Sequence, residues 1–355
     1  MSQLEFGIWD SFQAFEMAKA EAADIYDEHI QEVQLGEEIG YNYYFTIEHQ
    51  NSHVGQITSP SVFLCAVARA TTNMRLGVMI YQLPFHNPMR LAEEAAMLDH
   101  LSRGRLEFGT GLGVHEHEFI RWNLPFYERR EMSGEALEII KKAWTEEYVS
   151  YDGKYFKYEE ALPVPKPFQK PYPPIWVGAH SATSLEYAAK NNYHISQNID
   201  VDSVIAEKFD YYREKWRECE HDGPMPKTFL MRNVHVAETD EIARAEAEEP
   251  LMQGRRMTRE GLSKTSVGFK GHEDSPSNRE IDRVFAGMNS SYDFWIENGL
   301  ALVGSPDTVI RQLKAQHEAI GYDIFCANHR FGPLPTAASH KSLELFGREV
   351  IPAFT

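Results

Sequence analysis

Between Arg75 and Gly113 the chain reads RLGVMIYQLPFHNPMRLAEEAAMLDHLSRGRLEFGTGLG, a strand, a helix and a second strand in direct succession. Leu76 to Ile80 is a short apolar run that ends in a loop carrying Pro84, Asn87 and Pro88. Leu91, Ala95, Ala96, Leu98 and Leu101 then recur at helical spacing, and Gly104 closes the helix before a second run, Leu106 to Phe108. Two strands joined through a helix are parallel neighbours with a right-handed crossover. A parallel sheet is buried on both faces, so one such unit cannot stand alone.

The rest of the chain repeats the unit. Strand starts near residues 6, 43, 76, 106, 175, 195, 228 and 323 make eight, each followed by helix-compatible sequence. Among them, Tyr43 to Ile47 ends in Glu48-His49-Gln50, Pro60 lies in the first turn of the next helix, and Pro174 to Gly178 is followed at once by a helix opening at Ser181. Eight units predict an α/β fold of the closed (β/α)8 TIM barrel type, with insertions, spanning residues 1–355 as one domain. An open doubly wound sheet is the runner-up, but it needs a glycine-rich turn after the first strand, and Phe6-Gly7-Ile8-Trp9-Asp10 has one glycine. Two stretches break the pattern. Residues 150–172, rich in aromatics, Lys and Pro, read as an extended insertion. Residues 253–298, interrupted by Gly261, Gly268, Gly271, Pro276 and Gly287, read as a mobile loop able to close over the barrel mouth. A final helix is expected over Ser339 to Val350.

Charge and cysteine usage narrow the partners. A net charge of -18 argues against nucleic acid or an anionic membrane surface as the main partner, which leaves a small molecule. Cys65, Cys219 and Cys326 lie far apart with no CxxC pair, so no disulfide framework or thiolate metal site is signalled. The N-terminal MSQLEFGIWD lacks a basic segment followed by an apolar one, and no apolar run approaches the ~18 residues needed to span a membrane. A soluble, cytoplasmic protein is expected.

The four blocks containing Glu48-His49, LPFHNPMRLAEEAAMLDHLSRGRLEFGTGLG, PPIWVGAHSATSLEYAAKNN and GSPDTVIRQL with SLELFGREVIPAF together resemble the bacterial luciferase-like flavin monooxygenases, over nearly the whole chain. The resemblance implies a (β/α)8 barrel, reduced FMN supplied by a separate flavin reductase, dioxygen activation, oxidation of a small, largely apolar organic substrate, and homodimers. It also implies a non-proline cis peptide near Met79-Ile80. The chain departs from the luciferase catalytic subunit at Gln50, where that subunit has histidine, which argues against light emission and its aldehyde chemistry. Leu112 stands where that subunit places a phosphate-binding arginine. A reductase or dehydrogenase using a deazaflavin coenzyme, and a non-catalytic flavin-binding protein, are the alternatives within the same barrel family.

The site residues follow from strand ends. His49 sits where a barrel strand meets its loop, the face on which catalytic residues of such barrels collect, and an imidazole there can take or share a proton. Glu48 is the second catalytic candidate, and the alternative is an ordinary surface or core histidine held by Glu48. Ser181 and Ser184, in the first turn after the fifth strand, together with Gly178 and Ala179, can offer backbone amides and hydroxyls to a phosphate. Arg130 is a candidate cation for the same group. Met79, Ile80, Gly109 and Gly111 are assigned to the flavin ring, the glycines allowing close backbone approach or a tight turn. Trp9, Phe12, Phe45, Tyr81, Phe85, Trp122 and Phe126 fall at or just past strand ends and are assigned to an apolar pocket. His115-Glu116-His117-Glu118 reads as a solvated loop rather than a metal site, because residues two apart share no helix face and no third ligand block is evident.

Overall fold

A computed structural model describes residues 3–12, 20–50, 55–265 and 290–354. The strands are β1 (Glu5–Asp10), β2 (Tyr43–Thr46), β3 (Arg75–Gln82), β4 (Leu106–Gly111), β5 (Val149–Asp152), β6 (Lys157–Ala161), β7 (Ile175–Gly178), β8 (His194–Gln197), β9 (Thr228–Val236), β10 (Ala301–Gly304) and β11 (Ile324–Asn328). The helices are α1 (Ala22–Glu38), α2 (Pro60–Ala70), α3 (Pro88–Leu101), α4 (Glu116–Arg121), α5 (Arg129–Thr145), α6 (Ala182–Lys190), α7 (Asp202–Glu218), α8 (Asp240–Thr265), α9 (Tyr292–Glu297), α10 (Pro306–Ile320) and α11 (Thr336–Leu345).

Parallel pairing runs β1-β2-β3-β4-β7-β8-β9-β11, and β11 pairs back onto β1 from Glu5↔Ile324 to Ile8↔Ala327. The sheet is therefore a closed barrel of the expected eight strands. Outward residues such as Leu76, Val78, Leu106 and Phe108 pack under the helices against Leu91, Ala95, Leu137 and Ile140. Inward residues make a second core of Trp9, Tyr43, Phe45, Met79, Trp176 and Phe229, with Phe45 and Phe229 rings 5.4 Å apart. Each such side chain, fully buried, contributes about 2 kcal/mol. The N-terminal end of the barrel is shut by charge. Arg75 pairs with Glu107, Trp176 Nε1 donates to Glu107 at 2.6 Å, and Lys227 pairs with Glu5. Burial still pushes the Glu107 carboxyl above its ordinary value, against the pull of Arg75 and Trp176.

Four differences from the sequence reading have physical causes. A ninth parallel strand, β10, pairs only with Asn233–Val236, the upper half of β9, whose lower half pairs with β8. The insertion at 150–172 contains the antiparallel hairpin β5–β6, held on α5 by Glu135, which accepts from the amides of Lys154 at 2.8 Å and Tyr155 at 3.0 Å. The 253–298 segment is helical through Thr265 and again in α9. Gly254 is there for contact, since a Cβ on it would lie 2.7 Å from Gly332 Cα. Residues 266–289, the heart of the expected mobile loop, lie outside the described residues. The last helix starts earlier than expected, at Thr336, and gives way after Leu345 to a π turn over Phe346–Val350.

The β3–β4 pairing slips between Val78 and Tyr81, and the Met79–Ile80 peptide bond is cis, as the resemblance implied. Gly109 and Gly111 are set against this irregularity. A Cβ on Gly109 would overlap the Val78 carbonyl oxygen and meet Met79 Sδ at 2.9 Å, while one on Gly111 would overlap the Ile80 side chain. Backbone cannot yield as a side-chain end can. Gly109→Ala should cost about 1–3 kcal/mol in urea unfolding, and Gly111→Ala less; equal costs would show that β3 moves as freely as the Ile80 side chain.

Candidate active site

All eight barrel strands point their C-terminal ends at one rim, so the segments that follow them meet there. After β2 comes Ile47-Glu48-His49-Gln50. Glu48 is buried and accepts three hydrogen bonds: from Gln82 N at 2.7 Å, Gln50 Nε2 at 2.9 Å and His86 Nε2 at 2.8 Å. Gln82 Nε2 returns a bond to the Glu48 carbonyl at 3.0 Å. Glu48 thus ties the end of β2 to the end of β3, and it is neither the partner of His49 nor open to a ligand. Burial disfavours a charged His86, but the Glu48 carboxylate beside it prevails and holds the imidazole above its ordinary value.

His49 turns the other way. Its Nδ1 lies 2.9 Å from Glu118 Oε1, which also accepts from Gln50 N at 3.2 Å. The Glu118 side chain is fully buried, whereas that of His49 keeps 17% of its surface exposed. His49 Nε2 has no hydrogen-bond partner among the described residues. The His115 ring sits 5.1 Å from that of His49, and His117 stacks on His115 at 5.5 Å. Desolvation, reinforced by His49, pushes His115 down to about 3, so it is neutral at pH 7. Burial works to raise the Glu118 carboxyl, but the bond from His49 holds it below the usual range, as a carboxylate.

The sequence reading of this stretch as a solvated loop is therefore wrong. Residues 116–121 form α4, and Phe119 pins it by packing on Phe85 at 4.6 Å and Phe126 at 5.2 Å. That anchor turns His117 and Glu118 inward. Glu118 and His115 were missed because their charge was read as solvation, although Phe119 and Trp122, one turn apart, were a helical signal.

The seven aromatics assigned to one pocket divide into three places. Trp9 and Phe45 face the barrel interior. Phe85, Trp122 and Phe126 gather around Phe119 beside α4, with Trp122 half exposed. Phe12 and Tyr81 do not reach the mouth. Phe12 lies on His29 at 3.7 Å under α1, and Tyr81 Oη meets Ser61 Oγ at 2.9 Å on α2, its ring stacked on Phe108.

The residues assigned to a cofactor cluster in part. Met79 and Ile80 occupy the slipped end of β3, and Ile80 Cγ2 lies 3.4 Å from where a Cβ on Gly178 would be. Gly109 and Gly111 serve the close approach of β3, which accounts for them without a ligand. At the head of α6, Ser181 Oγ accepts from Ser184 N at 3.3 Å and Ser184 Oγ accepts from Ser181 N at 3.0 Å, a reciprocal cap. The amides of Ala182 and Thr183 precede any intrahelical acceptor and stay available to an anion. Nearby strand β8 brings Gln197 Oε1 and Asn198 Oδ1, buried without a partner among the described residues. These atoms and the α6 amides suit the hydroxyls and phosphate of a flavin mononucleotide. Arg130 is exposed in the first turn of α5; its neighbour Arg129 instead lies 3.8 Å over the Phe126 ring. Among the described residues no helix is long and apolar enough to cross a membrane.

Comparison with known proteins places this arrangement. The family described as luciferase-like monooxygenase matches residues 4–323. The chain is 27% identical over 347 residues to the oxygenase component of the flavin-dependent trigonelline monooxygenase of Acinetobacter baylyi, covering 93% of this chain and 90% of that protein. It is 28% identical over 333 residues to limonene 1,2-monooxygenase of Rhodococcus erythropolis, covering 89% and 78%. The fold superposes with a TM-score of 0.79, at 21% identity and 99% coverage of both chains, on the oxygenating constituent of 3,6-diketocamphane monooxygenase from Pseudomonas putida, solved with FMN.

The His86–Glu48 pair carries a pH signature. A histidine whose native value is raised contributes stability that is full below the unfolded value, about 6.5, and is lost as pH rises through the native one. The stability lost in His86→Gln should therefore be larger at pH 6 than at pH 9 by chemical unfolding, and a pH-independent loss would show that the pair acts through packing alone.

Proposed function

The chain belongs to the luciferase-like monooxygenase family, and from that premise we propose that it is the oxygenase component of a two-component, FMN-dependent monooxygenase acting on a small, largely apolar organic substrate. The observation that carries this reading is His49: one ring nitrogen is held by a buried carboxylate, and the other is unpartnered among the described residues at the barrel rim. The α6 amides and the unpaired oxygens of Gln197 and Asn198 lie at the same end of the barrel. Reduced FMN, delivered by a separate reductase, would supply the electrons that activate dioxygen. Ser181, Ser184 and the amides behind them would hold its phosphate, with Met79 and Ile80 beside its ring.

His49 Nε2 would then take a proton from the bound reactant and return it to solvent. Trp9, Phe45 and Met79 give the barrel interior an apolar lining that favours an apolar substrate and keeps water out. In this reading the enzyme works in the cytoplasm as a homodimer.

Mixing the purified protein with anaerobically reduced FMN and then with oxygenated buffer tests the proposal. Flavin absorbance should return more slowly than for free FMN under the same conditions. His49→Ala should keep the fold and lower turnover by about 10²–10⁴-fold. Reoxidation at the free-solution rate, or no FMN binding, would overturn the reading and favour a deazaflavin coenzyme, whose hydride chemistry would proceed without oxygen. Tight FMN that never turns over would favour a non-catalytic flavin protein.

A further inference from the structure

A carboxylate taken out of water costs several kcal/mol unless hydrogen bonds replace its hydration. Glu118 is fully buried, and the two hydrogen bonds it accepts come from consecutive residues, the His49 ring at 2.9 Å and the Gln50 backbone at 3.2 Å, with the Gln82 amide adjacent. Its bonds therefore go to the segment that carries the imidazole, not to its own helix. The other charged groups near His49 are accounted for: Glu48 is turned to His86 and Gln82, and His115 and His117 are held neutral by desolvation. Glu118 is the anion that faces the ring among the described residues.

We infer that Glu118 is the positioning residue of the site, holding His49 in the Nδ1–H tautomer so that the Nε2 lone pair faces the reacting groups. This rests on the proposed role of His49 as the base. A carboxylate is acceptor only, so the nitrogen facing it carries the proton and the far nitrogen does not. When Nε2 forms its N–H bond, the donor's bonding electrons stay on the donor atom and the ring becomes cationic. The Glu118 carboxylate then stabilises that charge across the Nδ1–H bond, and the cation loses its new proton to solvent in the return step. Gln50 N, bonded to the same oxygen, fixes the backbone under the ring, so ring and chain are aimed together.

The test uses the full-length protein labelled with 15N-histidine, with His49→Ala assigning the ring signals. Wild type should show the Nδ1–H tautomer at His49, and Glu118→Ala should lose that preference. Glu118→Gln keeps an acceptor oxygen but not the charge. With reduced FMN and dioxygen as the probe, it should move the acid limb of the pH–rate profile to lower pH and lower the plateau, at unchanged FMN affinity; Glu118→Asp should restore part of the loss. A Glu118→Gln profile that superimposes on wild type while His49→Ala alters it would overturn the proposal and leave the base reading standing, whereas an Nε2–H tautomer in wild type would overturn both, since Nε2 would then have no lone pair to accept a proton. A His49→Ala profile equal to wild type would instead sink the base reading, whatever tautomer is found. If Glu118→Ala fails to fold, the Glu118→Gln profile decides alone.

Discussion

Pairing of β1 with β11 is the contact on which the rest of the molecule depends. It joins the first strand to one more than 300 residues later, and the entropy of closing so long a loop grows only slowly with its length. Closure leaves the eight barrel strands without an edge, with β10 appended outside the ring on β9, and sends every barrel strand's C-terminal end to one rim. The segments at Ile47–Gln50, Met79–Gln82, Leu112–His115 and Gly178–Ser181 become neighbours for that reason. The opposite end is filled by Glu5, Arg75, Glu107 and Lys227, which pair with one another there.

At the rim two buried carboxylates set the geometry. Glu48 binds β2 to β3, and Glu118 binds the β2 loop to α4. Gln50 touches both, through its side chain to Glu48 and its backbone to Glu118. The residue after His49 is thus a clamp between two carboxylates. This gives a physical reading of the departure from the luciferase catalytic subunit: an amide donates to one anion without adding a second titrating ring.

The barrel was legible in the sequence because buried parallel strands and capped helices leave strong local patterns. The strand start near 228 coincides with that of β9, and Pro306 marks the start of α10 at its first position. His49 was legible from its place at a strand end. Its partner was not, because Glu118 lies 69 residues away and contact at that separation leaves no local pattern. Neighbouring Glu48 offered a false answer by adjacency. The continuation of α8 to Thr265 was missed because Gly261 reads as a breaker, although the helix runs through it.

Tyr81 shows how one local irregularity redirects a whole face. Along β3, Arg75, Gly77 and Met79 point into the barrel by strict alternation, and Tyr81 should follow them. The slip between Val78 and Tyr81 adds a residue, so Met79 and Ile80 both reach the inner cluster and Tyr81 turns out to Ser61 and Phe108. A one-residue shift exchanges faces for everything after it. The same slip brings β3 backbone against β4, which only glycine at 109 tolerates, and carries Ile80 towards Gly178 on β7. The apolar wall at the rim is therefore made by a register error in an otherwise regular strand. The alternation that would have hidden Ile80 in the outer core is what the sequence pattern predicts, and the slip is what overrides it.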